Sequence, residues 1–173
     1  MAAEAALVAN RLREAQESNV IDLTNCGLMK VPDAIYIFLK HTPVLSCSFS
    51  KNQLKRIPPR FPVTFKTVQE LNMSDNKLSE LPEEMSELID LKTMDISRNQ
   101  FTSLPDFVYQ YSNLLQLKLH SNQISDIDTE KLVQMSSLQE VDFRGNPLSA
   151  EVVCRLQESN ITVQLDKLGE GDS

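Results

Sequence analysis

The stretch LLQLKLHSNQI, residues 114–124, carries the pattern that organises the whole chain. Apolar side chains stand at Leu114, Leu117, Leu119 and Ile124, and Asn122 closes the polar run before the last of them. Leu117 and Leu119 flank Lys118 as in a strand with one buried face. The arrangement returns as LQEVDFRGNPL from Leu138, LKTMDISRNQF from Leu91 and VQELNMSDNKL from Val68. Two looser copies are VLSCSFSKNQL from Val44 and SNVIDLTNCGL from Ser18. The residue closing each turn is Cys26, Asn52, Asn76, Asn99, Asn122 or Asn146, at spacings of 26, 24, 23, 23 and 24. So constant a period defines a repeat, and no unit of this size buries its apolar face alone. Stacking must stabilise it.

The chemistry of one unit follows from its residue types. An Asn amide both donates and accepts, so it satisfies backbone groups that the turn would otherwise bury unpaired. Cys26 departs from Asn but is small and a weak donor. The following apolar residue, Leu78 or Phe101 for example, returns to the core. Three residues later come Val31-Pro32, Ile57-Pro58, Leu81-Pro82 and Leu104-Pro105, where Pro biases its neighbour toward an extended shape. Met85 and Leu88, or Val108 and Tyr111, then suit a short 3₁₀ or α turn on the outer surface. Residues 1–17 predict a capping helix, with Leu7, Val8, Leu12 and Ala15 at helical spacing. Residues 18–148 hold the repeats, and 149–166 predict a C-terminal cap. In that cap Ser149 starts a helix, and Ile161, Val163 and Leu165 alternate as a last half-buried strand. Residues 167–173, KLGEGDS, are expected to be a flexible tail.

On these six motifs the chain resembles the leucine-rich-repeat superfamily over residues 18–148. The Leu-Pro pairs and short coils are similar to its intracellular members, and the cysteine-rich flanks of the extracellular ones are missing. The resemblance implies an α/β fold: a right-handed solenoid of about six coils, whose parallel sheet lines a concave side. It implies a protein-binding role and no reaction.

The totals agree. A net charge of −7 argues against a nucleic-acid partner, because phosphate binding needs clustered Lys and Arg, but it leaves open a protein with a basic patch. Glu4, Asn10, Arg11, Arg13 and Glu14 break the first residues too early for a secretory signal, and no apolar run is long enough to span a bilayer. A cytoplasmic protein with no membrane insertion is expected. Cys26, Cys47 and Cys154 show no paired spacing, so no disulfide is expected. The sequons at Asn72 and Asn160 carry no meaning without a signal.

Function then rests on the strand face. The outward columns run Asp22, Ser48, Asn72, Asp95, Lys118, Asp142, then Thr24, Ser50, Ser74, Ser97, His120, Arg144, then Asn25, Lys51, Asp75, Arg98, Ser121, Gly145. Charges of both signs converge on Asp95, Arg98, Lys118, His120, Asp142 and Arg144, which we expect to form the partner-binding face; the plainer alternative is a solvated sheet surface. Lys51, Lys55, Arg56, Arg60 and Lys66 precede an acidic run from Glu70 to Asp90, and such charges are expected to pair between coils with little energy. Arg56-Ile57-Pro58-Pro59-Arg60-Phe61-Pro62 fits a ligand motif for SH3 domains, but Ile57 and Phe61 fall on core positions. No catalytic constellation, phosphate loop or metal-ligand spacing is found, so neither a cofactor nor a metal is expected. The expectation is a non-enzymatic scaffold or adaptor; the alternative is a regulatory subunit of an enzyme such as a phosphatase or small GTPase.

Overall fold

The computed structural model describes residues 2–166; the expected flexible tail, 167–173, lies outside them. Helix α1 (Ala2–Ser18) leads into seven short strands: β1 (Val20–Asp22), β2 (Ser46–Ser48), β3 (Glu70–Asn72), β4 (Thr93–Asp95), β5 (Gln116–Lys118), β6 (Glu140–Asp142) and β7 (Thr162–Gln164). They form one parallel sheet in chain order. Successive coils stay in register, so Asp95 lies beside Lys118 and Lys118 beside Asp142. The middle residue of each of the first six strands is buried, from Ile21 through Cys47, Leu71, Met94 and Leu117 to Val141. A second buried row, Leu23, Phe49, Met73, Ile96, Leu119 and Phe143, lies two residues on, as the alternation requires. Cys47 is small, and its coil is filled instead by Phe49, Phe61 and Phe65, whose rings lie 5.4 Å apart in sequence.

Asparagine does more than close its own turn. Asn99 Nδ2 donates to the carbonyls of Met73 in the preceding coil and Ile96 in its own, at 2.9 and 3.1 Å. Its Oδ1 accepts from the Leu78 N–H at 2.9 Å. Asn52, Asn76, Asn122 and Asn146 make the corresponding bonds, so the column ties every coil to the one before it. This explains Cys26. The first coil has none before it, and an amide there would have nothing to bridge.

The outer arms are α2 (Ala34–Phe38), α3 (Arg60–Thr64), 3₁₀ turns at Glu83–Glu87 and Asp106–Gln110, and α4 (Thr129–Gln134). Their inward side chains, including Met85, Leu88, Val108 and Tyr111, are buried. The SH3-type motif is folded into this layer, with Ile57, Phe61 and Pro62 buried. Across the arms Lys66 pairs with Glu87 at 2.7 Å and Arg56 approaches Glu80 at 3.9 Å, all exposed.

Polar side chains serve both ends of the solenoid. Helix α1 buries Val8, Leu12 and Ala15; Leu7, expected with them, is 39% exposed because it lies off that stripe. Arg11 Nη1 donates to the carbonyls of Asp22 and Thr24 at 3.1 and 2.7 Å, and Asp22 Oδ1 accepts from the Thr24 N–H. Two carbonyls and one N–H on the free edge of β1 are thereby satisfied. At the other end α5 (Ala150–Gln157) starts at Ser149, whose hydroxyl accepts from the Val152 N–H at 3.3 Å. Asp166 Oδ2 accepts from the Gly145 N–H at 2.7 Å, replacing the backbone carbonyl used in earlier coils.

Candidate functional site

The exposed face of the sheet is built from residues that alternate with the core. Asp22, Asn72, Asp95 and Asp142 share one duty: each side-chain Oδ1 accepts the backbone N–H two residues later, at 3.0–3.1 Å. These are Asx turns, and they bend the chain into the asparagine turn. Coil five breaks the column. Lys118 is donor-only, so it holds no such turn, and its ammonium has no hydrogen-bond or ion-pair partner among the described residues. Past the Asx turn each coil places one residue in the left-handed region: Asn25, Lys51, Asp75, Arg98, Ser121 and Gly145, at φ 50–66°.

The six expected face residues separate on these grounds. Lys118, His120, Asp142 and Arg144 line one hollow of about 300 Å³, with Gln116, Glu140 and Gln164. Asp95 and Lys118 line a second, of about 410 Å³, with Glu70, Asn72 and Thr93. Lys118 is common to both. Arg98 stands beyond the strands at the turn, where it pairs with Asp75 at 3.0 Å.

Two expectations are corrected. Asp142 does not present a free carboxylate; it is 5% exposed. Arg144 grips it with Nε on Oδ1 at 2.9 Å and Nη2 on Oδ2 at 2.7 Å, covering it while remaining exposed itself. Burial pushes the Asp142 carboxyl up, but the hydrogen bonds from Arg144 outweigh it and hold the group below its ordinary value. Nor do Ser50, Ser74 and Ser97 project outward: all are buried. The Ser97 hydroxyl turns back to Asp95 Oδ1 at 2.6 Å and that of Ser74 to Asn72 Oδ1 at 2.8 Å. In this column Arg144 is exposed and His120, like Thr24, is half-buried, with His120 Nδ1 3.3 Å from Ser121 Oγ.

One column was not read from the sequence at all. Glu70, Thr93, Gln116 and Glu140 precede the buried strand residues and share the face with those that follow. Gln116 Nε2 donates to Glu140 at 3.2 Å, and Gln164 Nε2 donates to its other oxygen, so one carboxylate bridges three strands. The signal was present in the alternation, which exposes a residue on both sides of each buried one.

A leucine-rich-repeat family model matches residues 89–148 and a second, Leucine Rich Repeat, matches 67–88. The chain belongs to the leucine-rich-repeat proteins. It is 35% identical to mouse leucine-rich repeat-containing protein 20 over 151 residues, 85% of this chain and 82% of that one. The human protein of that name is 36% identical over the same shares. Human oligodendrocyte-myelin glycoprotein is 31% identical over 82% of this chain but only 30% of its own length. Among solved structures, a Leptospira interrogans leucine-rich-repeat protein superposes with TM-score 0.63 at 21% identity, over 91% of this chain and 52% of that one. The leucine-rich-repeat domain of APL1B gives 0.68 at 21%, over 83% and 42%. The chain thus spans about half of these structures or less, and the likeness is one of fold. Among the described residues no helix is long and apolar enough to cross a membrane, and no cluster of His, Cys, Asp and Glu has metal-site geometry.

Proposed function

We propose that this chain is a non-enzymatic, cytoplasmic adaptor that docks a protein partner on the concave face of coils four to six. Lys118, His120 and Arg144 form the centre, Asp95 and Arg98 the margin, and Asp142 holds Arg144 in place. One observation carries this reading: Lys118 stands where the other coils keep a turn-forming acceptor, so it serves no structural bond and opens into both hollows. A polar face with few anchors suits a modest affinity set by charge complementarity. The three unpaired thiols support the intracellular assignment.

The test is the double variant Lys118→Glu with His120→Ala, compared with wild type in affinity capture followed by quantitative mass spectrometry. Lys118 is exposed and His120 half-buried outside the core, so stability should stay within about 1 kcal/mol. Proteins retained specifically by wild type should be lost. A folded variant that keeps the same partners would remove the site from this face.

A further inference from the structure

We propose that the flank formed by the turns of coils one to three is a second docking surface, which takes an acidic amphipathic helix of a protein partner. Between Leu23 and Gln69 the chain carries Lys30, Lys40, Lys51, Lys55, Arg56, Arg60 and Lys66 against a single acid, Asp33. The fold gathers part of this set, with Lys77 added, on one side. The Gln53 N–H donates to the Leu28 carbonyl and the Lys77 N–H to that of Leu54, both at 2.8–2.9 Å, so each turn lies directly on the next. The turns of coils one to three are thus stacked side by side, and Lys30, Lys51, Lys55, Arg56 and Lys77, on or next to them, are all exposed. Arg56 has Glu80 at 3.9 Å, an exposed pair worth little. The side chains of the four lysines have no ion-pair or hydrogen-bond partner among the described residues.

An apolar groove of about 430 Å³ opens beside these cations, between α1 and the first turn. Ala5 and Val8 form its helix side, and Leu28, Met29, Pro32 and Phe38 its coil side. Met29 is 73% exposed at the rim, where its flexible thioether adapts to a partner. Its volume falls in the range of ligand sites, and Lys30 lines it. Glu4 lines it too, on the α1 side against Gly27. The occupant must be apolar on one face and acidic along the edge turned toward Lys55, Arg56 and Lys77. A strand is disfavoured, because Arg11 and Asp22 already occupy two carbonyls and an N–H on the β1 edge. Three coils at about 4.8 Å per strand spacing match about two to three turns of helix. A flat anionic membrane fits less well, since the groove is recessed and the chain carries a net charge of −7.

The test is fluorescence anisotropy on the full chain with three labelled synthetic peptides. The first is a helix with a leucine face edged by glutamates, the second its scramble lacking that face, and the third its lysine-for-glutamate counterpart. The first should bind at least about tenfold more tightly than the others and weaken with salt. Lys55→Glu with Arg56→Glu, and separately Met29→Glu, should each lower its affinity about tenfold or more at unchanged Tm. The concave variant Lys118→Glu with His120→Ala should bind it as wild type does, which keeps this surface distinct from the face proposed above. Equal binding of all three peptides, or flank variants that bind like wild type, would overturn the proposal. So would sedimentation with phosphatidylserine vesicles by a chain that binds none of the peptides, which would assign the flank to a lipid surface.

Discussion

At the scale of single residues, the asparagine and Asx columns show why some polar side chains are structural and others available. Asn99 satisfies a donor and three acceptors in two coils, so Asn99→Ala should cost about 1–3 kcal/mol in urea denaturation. The same change at Cys26, whose thiol makes one long contact with the Thr24 carbonyl at 3.6 Å, should cost less. Equal losses would contradict the bridging role. Asp142 makes a pH prediction. Its folded pKa lies below the ordinary value near 3.9, so its contribution is fully present above that pH and is lost as pH falls through the lower folded value. Asp142→Asn should be less stable than wild type at pH 7, and the two should converge in thermal scans below about pH 4. Stability curves that stay parallel below about pH 4, through the acid range, would show that Arg144 adds nothing to the carboxylate.

At the scale of elements, the two ends of the sheet are closed by different chemistry. The first strand is covered by a whole helix and one guanidinium, whereas the last is tied back to coil six by a carboxylate on Gly145. Arg11→Met keeps the stem of the side chain but leaves the Asp22 and Thr24 carbonyls without their donor. It should cost about 1 kcal/mol and expose a strand edge, giving concentration-dependent association in light scattering. A variant as stable and as monodisperse as wild type would show that α1 shields the edge by packing alone. The outer arms illustrate a weaker device. Their cross-coil pairs, such as Lys131 with Asp106 at 3.2 Å, are solvated and decorate a surface already held by Met85, Leu88 and Tyr111.

At the scale of the molecule, one buried cluster runs without interruption from Val8 to Leu156. A solenoid whose units depend on their neighbours should unfold as one. The thiols report this directly. Cys47 is fully buried, and burial pushes its thiol well above the ordinary value, whereas Cys154 is exposed on α5. Under native conditions a thiol reagent should label Cys154 first. In rising denaturant, labelling of Cys47 should follow the circular-dichroism transition. A Cys47 transition at lower denaturant would mean that coil two opens on its own.

The repeat was legible in the sequence because core and turn are local facts. Spacing two places Leu117 and Leu119 on one face, and Asn recurs wherever a tight turn would bury backbone groups. The strands and the outer arms follow from that period, and the parallel order from the family resemblance it carries. The binding face was less legible, because exposure there depends on side chains from adjacent positions and coils. Alternation alone put Asp142 at the surface, but Arg144 covers it. Alternation alone also put Ser97 there, but its hydroxyl turns back to Asp95. The column of Glu70, Gln116 and Glu140 went unread, although Glu140 joins three strands. By itself the sequence determined which residues are core, since apolar burial is set by periodicity and is indifferent to detail. Only the tertiary structure decided which polar residues are free, because a polar side chain is spent or available according to the donors and acceptors that stacking brings within about 3 Å of it.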